Sequence, residues 1–142
     1  MKGKKIIIAI TAAVLVLLVV AFLNLNGGNQ EEKLTKRLEK VGTEFYTEFY
    51  YDQISAGKTE EEVSEFLTRF VELGIKVDID NLSRFNEDKY ANIVEEFHNK
   101  KDNVACDIRN TKAIIYPVSP FGKTDFTVSS VLDCGFETVE AE

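Results

Sequence analysis

The residues best suited to covalent or acid–base chemistry are two cysteines, Cys106 and Cys134, and one histidine, His98. Two thiols with a single distant histidine do not make a zinc set, and no C-x-x-C spacing marks a redox site. Cys106 precedes an expected hairpin and Cys134 ends it, so the pair reads as a structural disulfide. By loop entropy such a bridge stabilises by roughly 3.5 kcal/mol. His98 follows Phe97 at the end of an expected helix, where a cation suits the dipole, so it reads as a helix-end residue. Ser55, Ser64, Ser83, Ser119, Ser129 and Ser130 lie in no G-x-S-x-G nucleophile elbow. Asp78-Ile79-Asp80-Asn81 opens like a calcium loop, but Leu82 and Ser83 stand where an EF-hand needs Asp or Asn and then Gly. Gly122-Lys123-Thr124 looks like the end of a phosphate loop, yet the first glycine is missing and a strand follows. No catalytic, cofactor-binding or metal-ligating residue is therefore assigned, and the chain reads as a non-enzyme.

These residues must be positioned by an α+β domain of about three helices and a C-terminal antiparallel hairpin or sheet. From Glu31 to about Ser55, Leu34, Leu38, Val41, Phe45 and Phe49 recur at helical spacing, and Gly57 makes a natural stop. The aromatic stretch Phe45, Tyr46, Phe49, Tyr50, Tyr51 could be a binding platform. Its spacing is read instead as a wide core-facing stripe with the Tyr hydroxyls at the core edge. Thr59-Glu60-Glu61-Glu62 is a capping box, which accounts for this acidic cluster without catalysis. Val63, Phe66, Leu67, Phe70 and Val71 form the second helix's buried stripe, with Gly74 ending it.

Ile75–Ile79 alternates as a short strand. A third helix is expected from Glu87 to about Phe97, capped by Asn86, with Tyr90, Ile93, Val94 and Phe97 inward. Asn99–Asn103 reads as a polar loop. Lys112–Val118 and Asp125–Cys134 flank Ser119-Pro120-Phe121-Gly122, which suits a type I turn.

Ahead of this domain, Ile6 to Leu23 is almost unbroken apolar sequence, preceded by Lys2, Lys4 and Lys5. A membrane-spanning helix needs about 20 such residues, and positive charge stays on the cytoplasmic side. The expected layout is a cytoplasmic basic stub at 1–5, a transmembrane signal anchor at 6–25 and a linker at 26–30. An extracytoplasmic domain follows at 31–136, and an acidic tail at 137–142. The rival is a signal peptide cleaved after Val19-Val20-Ala21, giving a secreted protein. The formal net charge of -7 becomes -10 once Lys2, Lys4 and Lys5 are set aside. Such a surface disfavours nucleic acid.

The function expected is a membrane-anchored extracytoplasmic module, non-enzymatic, that binds a protein or envelope component or serves structurally. The alternative from another class is a small hydrolase-like enzyme. A further alternative comes from layout, because an apolar N-terminal helix before a sheet-bearing, disulfide-bonded head is similar to type IV pilins. Gly3 stands where that family is processed. Lys4 and Lys5, Ile8 in place of the early glutamate, and Gly27-Gly28 inside the long helix depart from its pattern, so no family is assigned.

Overall fold

A computed structural model of the chain describes residues 30–136, which form a small α+β domain of helices and antiparallel sheets. The apolar run Ile6 to Leu23 and the tail 137–142 lie outside the described residues. Among those described, no helix is long and apolar enough to cross a membrane. Residues 34–136 belong to one compact unit, and Gln30–Lys33, described by themselves, are the first turn of a helix.

Helix α1 (Gln30–Phe45) buries Leu34, Leu38, Val41, Gly42 and Phe45, the face its periodicity dictates. It does not continue as a plain α-helix. Tyr46–Tyr50 is π-helical, and α2 (Tyr51–Ser55) follows without a break. The reason lies in the side chains. Carried on past Phe45, the α register would turn Phe49, Asp52 and Gln53 toward the core. The widened turn shifts the inward set by one residue. Tyr46 becomes fully buried, Tyr50 and Ile54 pack against the core, and Asp52 and Gln53 face solvent. Phe49, expected in the core stripe, is 39% exposed.

Helix α3 (Glu60–Thr68) starts with the expected capping box. The Glu62 amide donates to Thr59 Oγ1 at 3.2 Å, and the Thr59 amide donates to Glu62 Oε2 at 2.9 Å. Such a cap stabilises by about 1 kcal/mol. Val63 and Leu67 are buried, while Phe66 and Phe70 pack against the core. Val71 falls beyond the helix and is exposed, against the sequence pattern. Gly74, at φ 72°, closes this turn, and its amide donates to the Phe70 carbonyl at 2.9 Å. A Cβ there would collide with Ile114 and Tyr116.

Strand β1 (Ile75–Asp78) ends one residue earlier than its alternation implies, because Asp78 caps a helix the sequence reading omitted. In α4 (Ile79–Phe85) the Asn81 amide donates to Asp78 Oδ1 at 2.8 Å, and Arg84 pairs with Asp80 one turn back at 2.9 Å. Among the described residues α4 is thus a helix beyond the three helical stretches expected from the sequence. The expected third helix is itself divided into α5 (Glu87–Tyr90) and α6 (Ile93–Glu96), and Asn86 makes no side-chain cap. Tyr90, Ile93 and Phe97 are buried as the pattern required.

Asn99–Asn103 is not an open loop. Strands β2 (His98–Asn99) and β3 (Val104–Ala105) pair across it, and Asn103 supplies a left-handed φ of 54°. β4 (Lys112–Pro117) and β5 (Phe126–Val131) form the expected hairpin, and the main sheet runs β1-β4-β5, antiparallel throughout. The connection is longer than a type I turn. The Phe121 amide closes one turn on Val118 around a cis Ser119–Pro120 bond, and the Asp125 amide closes a second on Gly122. Helix α1 crosses the sheet at Gly42, where a Cβ would stand 2.7 Å from the Ala113 Cβ. Two small residues thus set the distance between helix and sheet.

Candidate functional site

The aromatic stretch divides its labour. Tyr46 goes into the core, its ring 4.5 Å from Phe126. Phe45 and Phe49 turn the other way and meet Phe85 of α4 at 5.4 and 6.3 Å between centroids. Together with Tyr50 they form the wall of an open groove of about 580 Å³. Its floor is Ile75, Lys76 and Val77 of β1, the edge strand of the main sheet, and Asn81 and Arg84 complete the rim. An apolar, aromatic concavity with a few polar groups at its edge is the usual form of a binding site. Both charged residues lining it are cations, on a chain with 24 acids and 17 bases.

Behind Phe85 the groove is braced by a polar cluster. The Tyr90 ring lies 5.3 Å from Phe85, and its hydroxyl donates to the Glu44 carboxylate. Lys89 Nζ reaches the same carboxylate oxygen at 2.7 Å. Burial pulls the Glu44 carboxyl upward, but the hydrogen bonds from Lys89 and Tyr90 outweigh it and hold it below the usual carboxylate range. Arg37 grips Glu96 through two hydrogen bonds, at 2.9 and 3.1 Å, and lies over the Tyr90 ring. These contacts tie α1 to α5 and α6. They position the wall and carry no sign of a reaction.

The Cys106 and Cys134 sulfurs stand at disulfide distance, with Cα atoms 4.0 Å apart and 28 positions between them in sequence. This matches the pairing expected from the sequence. Asn99, fully buried, reinforces it: its side-chain amide donates to the Cys134 carbonyl at 3.1 Å and to Asp102 at 3.2 Å. Nothing in the sequence marked Asn99, which looked like one more polar loop residue.

The remaining candidates disperse. His98 directly follows Phe97, the C-cap of α6, and sits in β2 opposite Ala105. Asp78, Asp80 and Asn81 are spent on starting α4 and on Arg84. The Gly122 amide bonds to Asp125, and Lys123 pairs with Asp52 at 3.0 Å. Among the described residues no group of three or more His, Cys, Asp and Glu lies close enough to hold a metal ion. The groove was missed because its walls come from three separate segments. The available signal was a β1 pattern followed at once by Asp-x-x-Asn, a capped helix start against a strand edge. No protein-family model, no curated protein and no solved structure significantly matches this chain.

Proposed function

We propose that this chain is a membrane-anchored, extracytoplasmic and non-enzymatic binding module, and that the aromatic groove beside β1 is where it binds. The observation that carries the binding reading is the groove itself. Phe49 is left 39% exposed although the neighbouring aromatics are buried or packed against the core, and with Phe85, which its ring meets, it lines the open groove. Leaving such surface wet forgoes roughly 25 cal/mol for each Å² of apolar area, a loss that a ligand recovers. The anchor is supported by the length of the Ile6 to Leu23 run and the basic residues before it. The outward placement of the domain fits the same charge bias and a disulfide, which persists in oxidising compartments.

Site-specific photo-crosslinking in the producing cell tests this reading. A photoreactive phenylalanine at Phe49 should give a discrete adduct, lost when Phe85→Asp spoils the groove lining beside it, whereas the same probe at Glu61 should give none. Equal labelling at both positions, or none at Phe49, overturns the groove as a binding site. Protease added to intact cells or spheroplasts should digest the domain and leave a protected N-terminal fragment. A soluble protein beginning at Phe22 would overturn the anchor and leave the binding reading intact.

A further inference from the structure

We propose that the groove takes an extended, alternating apolar and acidic peptide segment of a partner protein, which adds to β1 as a fourth strand. This rests on the binding-module reading and specifies its ligand. The hydrogen-bond phase of the sheet carries the argument. The Ile79 amide donates to the Thr111 carbonyl at 3.1 Å, in register with the β1–β4 ladder. In an antiparallel pair, bonded and non-bonded positions alternate, so Ile75–Ile115 and Val77–Ala113 exchange the hydrogen bonds. The other side of β4 has the same phase. The Val118 amide donates to the Asp125 carbonyl at 2.9 Å, which makes Tyr116, Ile114 and Lys112 the residues bonded to β5. The Lys76 amide and carbonyl therefore point away from β4, into the groove that Lys76 helps to line. An outward-facing donor and acceptor beside pockets for alternate side chains is the arrangement used in strand addition.

The sheet also sets the chemistry of the added strand. Ile75 and Val77 face the helical layer and are buried, while Lys76 is exposed on the opposite face. Neighbouring strands keep the same alternation. Residues of the ligand beside Ile75 and Val77 thus fall against Phe45, Phe49 and Phe85, and must be apolar. The residue beside Lys76 falls next to its ammonium group, and a carboxylate there meets a cation. Arg84 at the rim is already paired with Asp80, so Lys76 sets the charge preference. A four-residue edge allows only a short strand.

The test uses the full chain in nanodiscs and a blocked Val-Glu-Val-Glu-Val-Glu peptide, titrated by amide NMR. Expected are shifts centred on Lys76, Phe49 and Arg84, and binding weakened at least about tenfold by replacing Glu with Lys. N-methylation of one alternate set of peptide amides should weaken binding about tenfold or more, and methylation of the other set should change it little. A Lys76→Glu variant should reverse the charge preference. Equal binding of the Lys peptide, or indifference to N-methylation at both sets, overturns strand addition while the Phe49 crosslink still stands for the groove. No shift with any peptide overturns this proposal and leaves the crosslink to decide the broader reading. Self-association of the chain that Phe49→Asp abolishes would make the occupant a second copy and overturn the partner peptide.

Discussion

The disulfide end of the domain and the groove end are held together by different physics. Around Cys106 and Cys134 the backbone is closed by a covalent link, and the buried Asn99 amide spends its hydrogens on Cys134 and Asp102. The Asp107 amide adds a bond to the Asp133 carbonyl at 2.7 Å, and the Asp107 carboxylate accepts from Arg109 and Asn110. At β1 the neighbours are the aromatic rings of Phe45, Phe49 and Phe85, and the outward groups of Lys76 face an open cleft. The groove end has apolar surface, a strand edge with no partner strand among the described residues and the Lys76 cation in one place. The contrast separates residues that keep the fold from residues available for recognition.

The largest blow to the stapled end is its loss. A Cys106→Ser, Cys134→Ser variant should lose roughly 3.5 kcal/mol of stability by loop entropy, seen as a lower denaturant midpoint. A loss under about 1 kcal/mol would mean that Asn99 and its neighbours hold this end without the bridge. Next comes Asn99→Ala, expected to cost about 2 kcal/mol because it leaves the buried Cys134 carbonyl unpaired. If it proves neutral, the contrast in polar satisfaction between the two ends is wrong.

A smaller effect belongs to the brace behind the groove. Glu44 titrates below its ordinary value in the fold, so its contribution is present above the unfolded carboxylate pKa and is lost as pH falls through the folded one. Melting temperature should therefore drop as acid is added across that window. Glu44→Gln should flatten that part of the profile, with an effect at neutral pH of about 1 kcal/mol or less. An unchanged acid limb would remove Glu44 from the account.

The smallest expected change is at Tyr46. Its hydroxyl is buried with no hydrogen-bond partner among the described residues, and burial raises its pKa. Tyr46→Phe should leave stability within about 0.5 kcal/mol of the parent or raise it, since an unpaired buried hydroxyl carries a desolvation penalty. A marked loss would show that the hydroxyl finds a partner in solution and that the groove-side core is as well satisfied as the disulfide end.

Whatever depends on neighbours along the chain was legible in the sequence: the Thr59–Glu62 capping box, the buried faces of α1 and α3, the β4–β5 hairpin and the cysteine pairing. These follow from helical and strand periods, from local capping geometry and from the absence of other partners for two thiols. Tertiary packing decided the rest. The π-helical turn at Tyr46–Tyr50 exists because the core accepts Tyr46 and Tyr50 better than Asp52 and Gln53, a preference no window around those residues contains. Asp78 caps α4 only because β1 ends against the Ile79–Thr111 bond, which turned a calcium-like string into a helix start. Asn99 became a core residue because Cys134, far along the chain, brings it a carbonyl. The groove is an arrangement of α1, β1 and α4, and its outward Lys76 amide follows from the phase of a ladder between strands that are 36 positions apart at Val77 and Ala113, a pairing fixed only when the chain is folded.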